Sequence, residues 1–277
     1  MSKWIEDSRQ LIERRLAEVV SNMALTPASE EVVRYALLGG KRIRPLLVLA
    51  SAKAVGSSRK EAIDAGCAIE MIHCFSLVHD DLPSIDNDDT RRGRQTCHRK
   101  FGESSAILAG DLLLTGAFWL LSKSTKISTI QKVSEATTRM ITGEQQDIAL
   151  VKRQRPGNIT ESQLVDLYRK KTGALFSAAC SAGAELAVLE KNQLSDFAGF
   201  GENLGIVFQI GDDIQDTSDE LNFVQCFGIE RAKMLVAALV PGIRKFLDKY
   251  DSSGRELTVL ADMILARVGT VDYNGAA

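Results

Sequence analysis

The sequence predicts an all-α protein, and three observations carry that prediction. Apolar residues recur at three- and four-residue spacing along all 277 residues, which is the period of a helix face. Alternating β-branched runs bounded by turn residues, the mark of strands, are nearly absent. Only five prolines punctuate the chain, few enough to leave long helices unbroken. With 45% hydrophobic and 25% charged residues, the composition suits one large core. No Ser/Gly-rich linker or change in composition divides the chain, so residues 1–277 are expected to form a single domain.

The opening MSKWIEDSRQLIERRLAEVV mixes both charges and lacks the apolar centre of a secretory signal, so it is expected to be an amphipathic helix of the mature protein. After the Gly39-Gly40 break, Pro45 stands where it can start a helix. Ile69, Ile72 and Leu77 mark the buried face of a helix that delivers Asp80 at its C-terminal end, and Pro83 breaks the regular turn beyond it. The longest apolar stretch, Ile107 to Leu121, contains Gly110 and Asp111. It falls short of the roughly 18 uninterrupted apolar residues of a membrane span and reads as a buried core helix. Thr160 and Gln163 have capping-box spacing and open a helix expected to run into Lys170 and Lys171. The run Leu204, Ile206, Val207, Phe208 and Ile210 must be buried and leads directly to Asp212. The whole pattern amounts to about ten helices.

Lys+Arg 34 against Asp+Glu 36 gives a formal charge of −2. No global basic field exists to attract nucleic acid, and any charge that matters must be local. Cys67, Cys74, Cys97, Cys180 and Cys226 form no C-x-x-C pair and read as reduced or buried thiols, which fits a cytoplasmic protein.

The local charge is concentrated in two places. In HDDLPSIDNDDTRRG, Asp80, Asp81, Asp86, Asp88 and Asp89 crowd together just before Arg91 and Arg92. Such crowding is self-repulsive without cations, and a helix C-terminus is unfavourable for anions. An acidic loop balanced by its own basic neighbours is the alternative for this segment alone. In FQIGDDIQDTSDE, Asp212 and Asp216 are four apart on one helix face, with Asp213 beside them and Gln209 one turn earlier. Paired oxygen-rich clusters suit hard ions such as Mg²⁺, which keep waters and take phosphate oxygens as further ligands.

GGKRIRP at Gly39 to Pro45, DDLPSID at Asp80 to Asp86, RRG at Arg91 to Gly93, Lys171-Thr172, and FQIGDDIQD at Phe208 to Asp216 occur in an order and spacing that resembles the trans-isoprenyl diphosphate synthases of the bacterial farnesyl and geranylgeranyl type. The resemblance covers about residues 30 to 220. It implies a helical bundle around a central cavity, in which both acidic motifs bind three Mg²⁺ ions through an allylic diphosphate. The metal set would be Asp80, Asp81, Asp86, Asp212 and Asp216, with Asp213 acting through outer contacts. Asp80, Asp86, Lys171 and Asp212 would be the catalytic group. By the same resemblance Arg91 and Lys171 hold the allylic diphosphate, while Lys41, Arg44, His73 and Arg92 hold isopentenyl diphosphate; arginine's fork suits phosphate oxygens. His73, seven residues before Asp80, shares its helix face. Thr172 and Gln209 would steady the cation or orient the diphosphate, and His79 would pack or act indirectly. The implied reaction is departure of diphosphate, attack by the isopentenyl double bond, and loss of a proton to the released diphosphate.

Phe75 and Ser76 would form the chain-length floor. Phe75 precedes Asp80 by five residues, about 7.5 Å along a helix, and a bulky aromatic there resembles the pattern of enzymes with short products. Farnesyl diphosphate is the expected product, and geranylgeranyl diphosphate is the alternative if the floor lies deeper. The family's usual Gly/Lys-rich loop after the second acidic motif has no counterpart, since DTSDELN passes straight into FVQCF. Either a segment near Asn222 and Phe223 is missing from the sequence as read, or the loop is genuinely deleted, which would weaken closure of the site. Glu144 stands where many relatives carry glutamine. A terpene cyclase fits less well: Asp216 replaces a required Ser/Thr, although Glu220 agrees, and a second diphosphate site would be superfluous. A noncatalytic regulatory subunit should have lost one acidic motif, and both are present. The expected partners are isopentenyl diphosphate, an allylic diphosphate and a second copy of the chain in a homodimer, with no nucleic acid and no integral membrane association.

Overall fold

The computed structural model describes residues 3–153, 159–216 and 222–269. Among these, the first helices are α1 (Lys3–Ser21), α2 (Pro27–Leu37), α3 (Ile43–Ala54) and α4 (Arg59–Asp80). A small hairpin, β1 (Thr90–Arg91) and β2 (Arg94–Gln95), precedes α5 (Cys97–Phe101), α6 (Glu103–Ser124) and α7 (Ile127–Arg153). Then come α8 (Glu161–Tyr168), a π turn over Arg169–Gly173, α9 (Ala174–Ala184) and α10 (Lys191–Gln215). The chain continues through α11 (Phe223–Phe227), α12 (Ile229–Leu247), α13 (Arg255–Leu265) and a 3-10 turn, Ala266–Val268. The helices outnumber the expectation because α5, α8 and α11 are too short to show a full hydrophobic period.

Local chemistry starts these helices where the sequence provides caps. Thr26 accepts from the Ser29 N–H ahead of Pro27, and Ser58 with Glu61 closes a reciprocal capping box on α4. Thr160 and Gln163 do the same for α8, as expected, but regular helix stops at Tyr168 and the π turn takes over before Lys170 and Lys171. Helix α4 is apolar on nearly all sides, burying Cys67, Ala68, Ile69, Met71 and Ile72. It is therefore central, packed between α3 and α6, with α9 joining α3 to α10. One connected apolar core runs from Ile5 to Val268.

Helix α6 differs from the buried helix expected of it. Ala109, Leu113, Ala117 and Leu120 are buried, but Ile107 and Leu108 are 44% and 60% exposed. By length and composition α4 and α6 could each cross a membrane, yet α4 is the central packing helix, and α6 buries one side against it.

Two turns set up the site. Gly39 and Gly40 have φ of +75° and +99°, and Arg42 follows at +55°, so the chain enters α3 through backbone that favours glycine. A Cβ on Gly40 would lie 2.6 Å from Arg92 Nη1. The RRG motif forms the hairpin turn, with Arg92 and Gly93 at φ of +54° and +72°, the primed geometry of a two-residue loop.

Candidate active site

A cavity of about 660 Å³ opens between α4, α7, the π turn and α10. Its apolar part includes Phe75, Met140, Ile141, Ile148 and Phe208. At the polar end stand His73, Asp80, Arg91, Lys171 and Asp212. His73 and Asp80 share the cavity because two helical turns separate them on α4. Phe75 and Ser76 line it between these two, Phe75 packing edge-on to His79 at 5.0 Å between ring centres. His79 Nε2 donates to the Ile107 carbonyl at 3.0 Å, tying α4 to α6.

The first acidic motif divides its carboxylates. Asp86 donates its backbone N–H to the Asp80 carbonyl at 2.9 Å, folding the loop back over the helix end. Burial, with the Glu144 charge next in importance, pushes the Asp80 carboxyl up to about 8, although Lys171 opposes this. Asp86 is also raised, chiefly by burial. Asp81 is only 3% exposed, lies outside the cavity and is hydrogen-bonded to Arg91 Nε. Arg91 also donates to Asp88 at 2.9 Å. The sequence did not separate Asp81 from Asp80, because adjacent residues at a helix end turn about 100° apart.

Lys171 enters from the π turn, a helix irregularity that often marks functional positions. Its Nζ lies 2.7 Å from Glu144 and 2.5 Å from Asp147. Burial alone would lower its pKa, but these two acids outweigh burial and raise it. Gly143 permits the approach: a Cβ there would stand 2.5 Å from the Lys171 backbone nitrogen. Glu144 is itself raised by burial, and its Oε1 is buried without a partner. Asp147 was missed from the sequence, although its spacing of three from Glu144 places both on one face of α7.

At the second motif Asp212 lines the cavity, whereas Asp213 is turned into a buried network. Asp213 accepts from the Tyr168 hydroxyl, from Gln209 Nε2 at 3.1 Å and from the Phe223 N–H at 3.0 Å. Thr172 donates to Gln209 Oε1 at 2.8 Å, linking the π turn to the same network. Asp213 thus fixes the start of α11, its carboxylate turned into this buried network and away from the cavity. Helix α10 ends at Gln215, and Asp216 is extended at φ −74°, ψ 128°. The Asp216 N–H still donates to the Asp212 carbonyl at 2.9 Å, so Asp216 leaves the last turn of α10 on the same face as Asp212, and only the chain beyond it turns away. Glu220, the residue favouring a cyclase, lies outside the described residues, as do 217–219 and 221.

A second pocket of about 420 Å³ adjoins the cavity, lined by Lys41, Arg44, His73, Arg92, Asp212 and Arg267 among others. Burial pushes the Arg44 guanidinium down to about 10, and its Nε is buried without a partner. His73 is driven well below its ordinary value by burial and then by Arg44 and Arg92, so its imidazole is neutral at pH 7. Arg92 Nη1 donates to the Gly39 carbonyl at 3.0 Å. Arg42, the one cation of GGKRIRP given no role from sequence, is 2% exposed and bridges Glu13 and Glu70 at 2.7 Å each. It holds the loop that presents Lys41 and Arg44. Arg267 had no motif to announce it.

A family model described as polyprenyl synthetase matches residues 26–223. The farnesyl diphosphate synthase of Geobacillus stearothermophilus is 32% identical over 294 aligned positions, covering 96% of this chain and 98% of that protein. A geranylgeranyl diphosphate synthase of Cyanophora paradoxa is 35% identical over 260 positions, covering 85% of this chain and 86% of the relative. Among solved structures, an apo FPP/GFPP synthase from Zymomonas mobilis superposes with a TM-score of 0.87 at 34% identity, covering 95% of this chain and 97% of that one. A geranyltranstransferase from Thermotoga maritima gives 0.86 at 31% identity, covering 95% and 98%. The Geobacillus alignment spreads 96% of 277 residues over 294 positions, so close to thirty positions have no counterpart in this chain. The family-model match also stops at 223, beside the place where the sequence lacks the expected loop.

Proposed function

The chain belongs to the polyprenyl synthetase family and lengthens prenyl diphosphates; from that premise we propose that it joins isopentenyl diphosphate to dimethylallyl or geranyl diphosphate and stops at farnesyl diphosphate. The observation that carries this reading is the single cavity with Asp80 and Asp212 at its polar end, Phe75 across its apolar part, and a cationic pocket alongside.

The donor set fits Mg²⁺. Asp80, Asp86, Glu144 and Asp147 gather around Lys171, with Arg91 also acting on Asp80 and Asp86, and burial followed by the Glu144 charge still pushes the Asp80 carboxyl up to about 8. Oxygen donors of this kind suit an ion that keeps waters and takes substrate phosphates as its remaining ligands. Asp80, Asp86 and Asp212 would hold up to three ions, with Asp216 following on extended backbone. Asp81 leaves the expected metal set and becomes the anchor that orients Arg91. When bound, Mg²⁺ supplies the concentrated positive charge that stabilises a departing diphosphate.

The chain's own residues do the rest. Lys171 and Arg91 bind the allylic diphosphate and orient its carbon–oxygen bond toward the apolar cavity. Phe208 and the aliphatic wall exclude water from the allylic cation as that bond breaks. Thr172 and Gln209, hydrogen-bonded to each other, offer oxygen dipoles without competing charge. Lys41, Arg44, Arg92 and neutral His73 hold isopentenyl diphosphate so that its double bond faces the cation. The new carbon–carbon bond forms there, and the proton lost from the adjacent carbon passes to the released diphosphate. The protein is read as one domain working as a cytoplasmic homodimer; no disulfide joins the five cysteines, all of them free.

Incubation with Mg²⁺, isopentenyl diphosphate and geranyl diphosphate, followed by chromatography, tests the product. Farnesyl diphosphate is expected from the native chain, and products of twenty carbons or more from Phe75→Ala. Geranylgeranyl diphosphate from the native chain would mean that Phe75 is not the floor.

A further inference from the structure

Glu144 lines the main cavity, yet the prenyl-transfer reading gives it no task. Its carboxylate comes from α7 and lies 2.7 Å from Lys171 Nζ, while Asp147, nearly one turn further along the same helix, lies 2.5 Å from that nitrogen. Two carboxylates thus share one ammonium. The other cations of the π turn are committed elsewhere, Lys170 to Asp166 and Gln146, and Arg169 to Glu202. A unit of negative charge is left over at the wall, and burial keeps water from dispersing it: the Glu144 side chain is 14% exposed and its Oε1 is buried without a partner. That charge reaches across to α4, since after burial it is the largest influence raising Asp80. Asp86 adds to the same negative field.

We propose that Glu144 is a positioning residue that acts through Lys171: it withholds the ammonium from a bare diphosphate, so that this chain takes its allylic substrate together with Mg²⁺. This rests on the prenyl-transfer reading above, in which Lys171 holds the allylic diphosphate. A diphosphate arriving alone finds Lys171 already claimed by two acids and brings further negative charge toward Glu144 and Asp86, where little water screens the repulsion. A divalent cation arriving with it reverses the balance, because the same uncompensated charge attracts the cation. Glutamine has the same size and keeps a carbonyl oxygen for Lys171 to donate to, so Glu144→Gln removes the charge and leaves the contact. By linkage, the factor by which Mg²⁺ tightens the allylic diphosphate is also the factor by which that diphosphate tightens Mg²⁺, and the Glu144 charge enlarges it.

The test is calorimetric binding of geranyl thiolodiphosphate, an allylic analogue that resists ionisation, measured once with Mg²⁺ and once with a chelator in its place. The native protein is expected to bind the analogue at least about 100-fold more tightly with Mg²⁺. In Glu144→Gln that enhancement should shrink about tenfold, the scale of one charge interaction in a partly screened site. The shrinkage should come from tighter binding in the chelator, with binding in Mg²⁺ changed by less than about threefold. A merely structural role would instead weaken binding under both conditions, and that result overturns the proposal, as does an enhancement equal to the native one. Glu144→Asp, which keeps the charge, should lie closer to the native protein than to the glutamine variant; an aspartate variant that matches the glutamine variant also overturns it. Failure of the native protein to bind the analogue even with Mg²⁺ overturns the underlying prenyl-transfer reading.

Discussion

Asp80 and Glu144 give the site a pH signature. The Asp80 carboxyl, pushed up to about 8 by burial and by Glu144, lies above the ordinary carboxylate value of about 4. Between those values the native protein retains a proton that the unfolded chain has lost, so this contribution to stability is present below about pH 4 and is lost as pH rises toward 8. The melting temperature of metal-free protein should therefore fall from about pH 5 to about pH 8. Glu144→Gln, or Mg²⁺ with inorganic diphosphate, should flatten that slope. Equal slopes in native and Glu144→Gln protein would contradict the assignment. The motifs made Asp80, Lys171 and Arg44 legible in the sequence. They did not separate Asp80 from Asp81, because that depends on which way each side chain turns at the end of α4. They gave Glu144 no role either, since its meaning comes from Lys171, a contact across the fold.

Elements succeed where local chemistry speaks for them. The capping boxes of α4 and α8 and the burial of α4 follow from residues within a few positions of each other. The π turn does not: Lys171 and Thr172 reach the cavity through a helix irregularity imposed by packing against α7 and α10. Gly143 is the residue that permits this close approach. Gly143→Ala should destabilise the protein by roughly 1–3 kcal/mol through overpacking. It should also reduce turnover, because the contact displaced is the backbone of Lys171. Denaturant unfolding and the condensation assay measure the two effects, and full native turnover in the alanine variant would show that the close approach is dispensable. Asp216 shows how far such spacing reaches: as the C-cap of α10 it still donates its N–H to the Asp212 carbonyl, so the four-residue spacing holds to the last turn.

For the whole molecule, the all-helical architecture was legible because helical periodicity extends through nearly the entire chain. The outer surface was less so: an apolar helix reads as buried whether its covering is another helix or another subunit. Ile107 and Leu108 on α6 are exposed, and the homodimer proposed above would account for them if it covered this face. Sedimentation equilibrium should show a dimer, and Leu108→Glu should shift it toward monomer; a native monomer at micromolar concentration would remove this explanation. The C-terminal contribution to the site was also invisible, because Arg267 reaches Asp212 through the packing of α13 and the following turn on α10.

The most direct test of the account is the rate at which isopentenyl and geranyl diphosphates condense in the presence of Mg²⁺, compared between the native protein, Asp80→Asn and Asp81→Asn. The account predicts a loss of about 10³-fold for Asp80→Asn, the scale of removing one electrostatic contact to a leaving group. For Asp81→Asn it predicts a smaller loss, expressed mainly as a higher KM for geranyl diphosphate through a loosened Arg91. Asp80→Asn with native turnover, or Asp81→Asn as damaging to kcat as Asp80→Asn, would contradict it.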